Sequence, residues 1–123
     1  MTSTGSGRNS GEQWGKLVSY ASSFASFAIA HSDLSKIKNI ILFGSAARGE
    51  AGKESDIDIF IDGALKEADA DKLVPAFYKT DSYKKWGMLG VKNEINAIAG
   101  NLDEWDVLKQ SIADKGIVLY GRY

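Results

Sequence analysis

The sequence contains no cysteine and only one histidine, His31. Without cysteine there are no disulfides, no thiol nucleophile and no cysteine-ligated zinc. A lone histidine cannot build a multi-histidine metal centre, and His31 reads as a surface or helix-end residue rather than a catalytic base. Charge of one sign is lacking as well: 15 Lys and Arg stand against 16 Asp and Glu, a net charge of -1. Affinity for nucleic acid through broad phosphate neutralisation is therefore not expected, although a local patch stays open. No apolar run reaches a membrane span, and the longest weakly polar stretch, residues 20–30, is interrupted by serines. The opening residues show no charged segment followed by an apolar one, so no signal peptide is expected and a reducing cytoplasm is the expected compartment.

What is present is enough for one domain. The chain has 123 residues, 44% hydrophobic and 25% charged, which excludes wholesale disorder. Residues 1–11 are mostly Gly, Ser, Thr and Asn and are expected to form a mobile tail. Residues 12–123 are expected to form a single domain, since no linker or internal repeat divides them. Apolar spacings of three and four predict a helix over 12–30, carrying Trp14, Phe24 and Phe27 as core or as an oligomer face. The β-branched run Ile37–Phe43 predicts a buried strand. Gly44-Ser45-Ala46-Ala47 then predicts a turn feeding a short helix. Residues 55–61 alternate polar and apolar at their start and predict a second strand. A helix is expected over 65–78, with Pro75 late in it. Residues 83–90 look irregular, and Tyr83-Lys84-Lys85-Trp86 reads as a solvated loop with an aromatic anchor. A third strand is expected over 91–99, a last helix from Asn101 to Lys115, with Trp105 in the core, and a closing strand up to Tyr120. The order predicts an α/β (α+β) domain of two layers, with a mixed sheet of about four strands.

The chemistry is concentrated in Gly44-Ser45, followed after ten residues by Asp56-Ile57-Asp58. In a strand, alternate side chains share a face, so Asp56 and Asp58 project together while Ile57 and Ile59 enter the core. Adjacent carboxylates repel and call for a cation, and oxygen-only ligands select a hard divalent ion such as Mg²⁺. Gly44 permits close backbone approach, and the first N–H groups of the following helix suit phosphate oxygens. Ser45 adds a hydroxyl and Arg48 a planar cation; Lys53 and Ser55 lie in the same loop. Asp62 shares the parity of the two aspartates but precedes Gly63 and reads as a turn residue.

Residues 41–50, Ile-Leu-Phe-Gly-Ser-Ala-Ala-Arg-Gly-Glu, and 55–61, Ser-Asp-Ile-Asp-Ile-Phe-Ile, resemble the signature of the minimal nucleotidyltransferases, in the DNA polymerase β-like superfamily. The closing Gly116-Ile-Val-Leu-Tyr is similar as well. The resemblance implies a two-layer nucleotidyltransferase fold, a two-metal Mg²⁺ site, and ATP or another nucleoside triphosphate as substrate. It implies Asp56 and Asp58 as metal ligands and Gly44, Ser45 and Arg48 as nucleotide-binding residues; Ser55, with Lys53, is a nucleotide-binding candidate from its place in the loop. Active relatives carry a third carboxylate on a neighbouring strand, as ligand or base; the best match here is Glu94, preceded by Asn93 where the family has an apolar residue. The resemblance further implies transfer of a nucleoside monophosphate, AMP first, to a hydroxyl of a partner protein, with the chain as antitoxin of a HEPN-domain toxin. A catalytically weak nucleotide-binding module that docks to a partner is the alternative from another class. An antibiotic-modifying transferase would differ only in acceptor. A homo-oligomer stays open, and no membrane partner is expected.

Overall fold

The computed structural model describes the backbone of residues 4–121 and the side chains of residues 11–121. Helix α1 (Thr4–Ala30) leads through a 3-10 turn (Leu34–Lys36) into β1 (Ile37–Phe43) and the one-turn helix α2 (Gly44–Ala47). Strand β2 (Ile57–Gly63) follows, then α3 (Glu67–Tyr78), α4 (Asp81–Met88), β3 (Ile95–Gly100), a second 3-10 turn (Leu102–Glu104), α5 (Asp106–Lys115) and β4 (Ile117–Tyr120). The strands form one sheet in the order β3-β2-β1-β4. Strand β1 is antiparallel to β2 and β4, and β2 is parallel to β3, so the sheet is mixed as expected.

Strand parity distributes the side chains between two faces. Ile40 and Leu42 of β1, Ile57, Ile59 and Ile61 of β2, and Ile95 and Ala99 of β3 enter the larger core with Leu17, Tyr20 and Phe24 of α1 and Leu73 and Phe77 of α3. Burial of this apolar surface is the main driving force of the fold. The second face carries Ile41 and Phe60, covered by Leu102 and Ile112. Phe24 is thus core, whereas Trp14 is exposed. His31 is exposed just beyond α1, with its ring 4.2 Å from that of Phe27.

Several boundaries differ from expectation for identifiable reasons. Helix α1 begins at Thr4 and so takes in part of the stretch expected as a tail. Extending a packed helix by a residue costs far less than starting one. Residues 83–90 are not irregular, because most belong to α4. The Thr80 hydroxyl caps α4 by accepting from Tyr83 N at 3.2 Å, and the Trp86 indole donates to Ser23 Oγ at 2.9 Å. A good cap and an aromatic face against α1 outweigh the polar composition of this segment. The expected last helix is split. Asn101 accepts from Asp103 N at 3.1 Å and caps a 3-10 turn, before α5 starts at Asp106. Trp105 lies between these two pieces and is 41% exposed, not core; its ring meets Phe60 edge-on at 5.5 Å.

Asp62 is not a turn residue. It lies inside β2, 6% exposed, and accepts from Asn39 Nδ2 and from Leu102 N, both at 2.9 Å. A buried carboxylate with donors on both oxygens ties β1, β2 and the β3–α5 connection together. Asp62→Ala would take the acceptor from the buried Leu102 N–H and remove the tie between β2 and Asn39. The expected loss is about 2–4 kcal/mol, read as a lower urea midpoint at unchanged slope.

Candidate active site

The site begins where β1 stops. Phe43 is the residue paired with Asp58, and at Gly44 the backbone takes a φ of 75° and enters α2. A Cβ at Gly44 would lie 2.5 Å from Asp58 Oδ2. Glycine is therefore required twice over, by the left-handed backbone and by the carboxylate lying against its bare Cα. The N–H groups that open α2 have no acceptor within so short a helix. The turn and the carboxylate are thereby brought together.

The loop between α2 and β2 is tied down at several points. Arg48 Nε donates to Glu50 Oε1 at 2.9 Å, an exposed pair. Ser55 Oγ accepts from Gly52 N at 2.9 Å. Asn93 Nδ2 donates to Gly52 O at 2.9 Å and to Ser55 O at 2.7 Å, and Asn93 O accepts from the Tyr20 hydroxyl at 2.8 Å. Asn93 is itself 5% exposed. Asn93 is thus a buckle that holds the loop leading into Asp56. Lys53 is exposed at the tip of that loop.

Asp56 is exposed and Asp58 half-buried. Burial pushes the Asp58 carboxyl above the usual carboxylate range, and the nearby Asp56 charge adds to this; a hydrogen bond from Asn96 and the Arg48 charge oppose it. Neither aspartate forms an ion pair among the described residues. This donor set, oxygen-only and short of positive charge, fits one hard divalent ion. It does not extend to three carboxylates: among the described residues no group of three or more His, Asp or Glu gathers to hold a metal.

Glu94 is exposed and lies outside β3. Ile57 pairs with Ile95 and donates its N–H to Glu94 O at 2.8 Å, so Glu94 stands level with Asp56, not with Asp58. The residue paired with Asp58 is Asn96, whose Nδ2 donates to Asp58 Oδ1 at 3.3 Å. Sequence reasoning missed Asn96. Its signal was the apolar-polar-apolar run Ile95-Asn96-Ala97, hidden by starting the third strand at residue 91. The structure thus brings Gly44, Asp56, Asp58 and Arg48 together. Ser55 is engaged in the loop buckle, and Glu94 is set one step along the strand mouths. An open groove of about 650 Å³ adjoins Gly44 and Arg48, walled by Phe43, Trp105, Val107 and Leu108 together with the polar Glu104, Asp106 and Ser111. That is room for a nucleoside-sized molecule.

The family model described as Polymerase beta, Nucleotidyltransferase matches residues 28–123. No protein of curated function matches the chain by sequence. Among solved structures, the chain is similar to a candidate nucleotidyltransferase from Sulfolobus solfataricus, at 18% identity and a TM-score of 0.59 over 92% of this chain and 87% of that one. A toxin–antitoxin structure with AMP-PNP matches at 20% identity and a TM-score of 0.54, over 89% of this chain and 73% of that one. A mutant of the toxin–antitoxin MntA-HpeT matches at 19% identity and a TM-score of 0.58, over 83% and 73%. At these identities the structural likenesses establish the fold.

Gly44→Ala should destabilise the chain by about 1–3 kcal/mol through backbone strain and displacement of Asp58. Adding Asp58→Ala should recover the steric part only, so a double-mutant cycle in urea should show positive coupling. A second expectation concerns pH. The native state holds the Asp58 proton more tightly than the unfolded chain does. Ionising it therefore costs stability as pH rises from the ordinary carboxylate value through the native one, and the cost is complete at neutrality. In metal-free buffer Asp58→Asn should melt above the parent at pH 7, and the gap should close below about pH 4.

Proposed function

Since the chain belongs to the polymerase β-type nucleotidyltransferase family, we propose that it binds a nucleoside triphosphate, ATP first, and transfers the nucleoside monophosphate to a hydroxyl of a partner protein. One observation carries this reading: the Asp58 carboxylate lies against the bare Cα of Gly44, so a metal ligand and a phosphate-binding turn form one surface. The first N–H groups of α2 and the Ser45 hydroxyl receive phosphate oxygens, and Arg48, once it parts from Glu50, neutralises them. Asp56 and Asp58 hold Mg²⁺, which would polarise the phosphate oxygens and offset their charge. Ser55 acts through the loop it closes, by presenting Asp56. The likeness to a toxin–antitoxin structure with AMP-PNP supports a nucleotide ligand and a place in a toxin–antitoxin pair; within such a pair the role proposed for this chain is antitoxin, with a HEPN-domain toxin as partner. No helix among the described residues is long and apolar enough to cross a membrane.

A second reading is favoured by one specific observation, the amide of Asn96 beside Asp58. It is a module that keeps its nucleotide and acts by docking. Transfer of label from α-³²P-labelled ATP to a co-expressed HEPN-domain partner separates the two. Labelled partner supports the transferase; bound nucleotide without labelled partner supports the docking module.

The nucleotide site itself is tested by melting. At a concentration about 100 times Kd, Mg-ATP should add about 2.7 kcal/mol of stability, seen as a rise in Tm. Asp56→Asn combined with Asp58→Asn should remove the metal-dependent part of that rise while leaving the metal-free chain folded, since carboxylate repulsion is relieved. A folded parent with no rise in millimolar Mg-ATP refutes the site.

A further inference from the structure

We propose that Asn96 holds, as a neutral amide, the place from which a third carboxylate would complete the metal site, so that the chain takes up its nucleotide with a single divalent cation and transfers the nucleotidyl group slowly. The inference rests on the nucleotide-site reading above.

The argument is one of register. Strands β2 and β3 are parallel, with Asp58 paired to Asn96. Neighbouring strands lie about 4.8 Å apart, and the next position on the same face is about 6.6 Å along the strand. Along the line of β3 those next positions are Glu94, which lies just before the strand, stands level with Asp56 and is exposed, and Ile98, which is apolar. Residue 96 alone on β3 is placed to share a cation with Asp58. There the chain has an amide, and its Nδ2 donates to Asp58 Oδ1 at 3.3 Å. The other oxygen of Asp58 lies against Gly44. A carboxylate at residue 96 would repel Asp58 unless a cation lay between them. The amide stabilises the same neighbour with no cation at all.

Two consequences follow for chemistry. Two carboxylates with phosphate oxygens suffice for one Mg²⁺, whereas a pair of ions about 3.5–4 Å apart needs further anionic ligands. Second, in the transfer step a bond forms from the acceptor oxygen to the α-phosphorus, and the bond from that phosphorus to the bridging oxygen breaks. Pyrophosphate leaves with the electron pair, and the acceptor hydroxyl gives up its proton. A carboxylate beside Asp58 could take that proton; the amide cannot, so it passes to water. Loss of a positioned base slows such steps by about 10²–10⁴-fold.

The test counts ions. The full chain is titrated with Mn²⁺ in the presence of α,β-methylene ATP, which cannot release pyrophosphate, and bound ion is followed by electron paramagnetic resonance. The parent is expected to bind one Mn²⁺ per chain and Asn96→Asp two. Without metal, Asn96→Asp should melt below the parent, and with Mn²⁺ and the analogue it should regain or exceed the parent's Tm. With the partner present, its transfer rate should rise at least tenfold. Two ions on the parent would overturn the inference while leaving the nucleotide site standing. One ion on a folded Asn96→Asp chain would do the same. A parent that binds neither analogue nor Mn²⁺ would overturn the nucleotide reading itself, and this inference with it. Should Asn96→Asp fail to fold, the parent's ion count and Glu94→Gln decide. An unchanged single ion in Glu94→Gln supports the role of Asn96, and loss of that ion makes Glu94 the ligand and overturns it.

Discussion

Everything at this site depends on one contact, the approach of the Gly44 backbone to the Asp58 carboxylate. It follows from the antiparallel register of β1 and β2, in which Phe43 faces Asp58. Phe43 closes the first strand and Asp58 lies near the start of the second. The chain must therefore turn away at Gly44 directly over the carboxylate. Any side chain there would occupy the space of Oδ2. The two halves of the sequence motif, separated by ten residues, meet because a strand pair brings them together, and the intervening loop has only to return the chain. That loop is held by Asn93, which reaches from the approach to β3 and binds two of its carbonyls. The three strands thus fix the site jointly, with Tyr20 of α1 behind the buckle.

Three aspartates of one parity, Asp58 and Asp62 on β2 and Asp56 just before it, meet three different fates. Asp62, at the far end, is buried with a donor on each of two oxygens, and it serves structure. Asp58 is half-buried beside an amide, with its carboxyl pushed upward mainly by burial. Asp56 is exposed and makes no ion pair among the described residues. The gradient arises because Leu102 and Ile112 cover the second sheet face around Phe60 and Ile41 but do not reach the strand mouth. Under that cover a carboxylate must be fully paired. At the open end it can stay under-compensated and available to a cation.

The large-scale order was legible because apolar periodicity and turn residues carry it. Strand β1 was placed to the residue, and α2 followed from Gly44-Ser45-Ala46-Ala47. What was not legible required partners distant in sequence. The composition of residues 83–90 says loop, yet Thr80 and the contact of Trp86 with Ser23, 63 residues away, make it helix. Asp62 looked like a turn because Gly63 follows it, and only Asn39 and Leu102 reveal its burial. Within the site, Gly44, Asp56 and Asp58 were readable from spacing alone. Asn96 was not, because the register of two parallel strands is not written in either strand by itself.

The same register explains why the site opens to one side. On the second face, α5 and the preceding 3-10 turn stand over Phe60 and Ile41, and Trp105 leans on Phe60 at their edge. Beyond that edge lie Asp58 and Asn96, and beside it lies the groove that adjoins Gly44 and Arg48. Val107, 86% exposed, and Trp105 line this groove. Apolar surface at the rim of a charged site is disfavoured in water unless something covers it. On the nucleotide reading proposed above, a nucleoside beside the phosphate-binding turn would do so. The charged strand mouth and the partly apolar groove beside it both result from a helix that covers half a sheet.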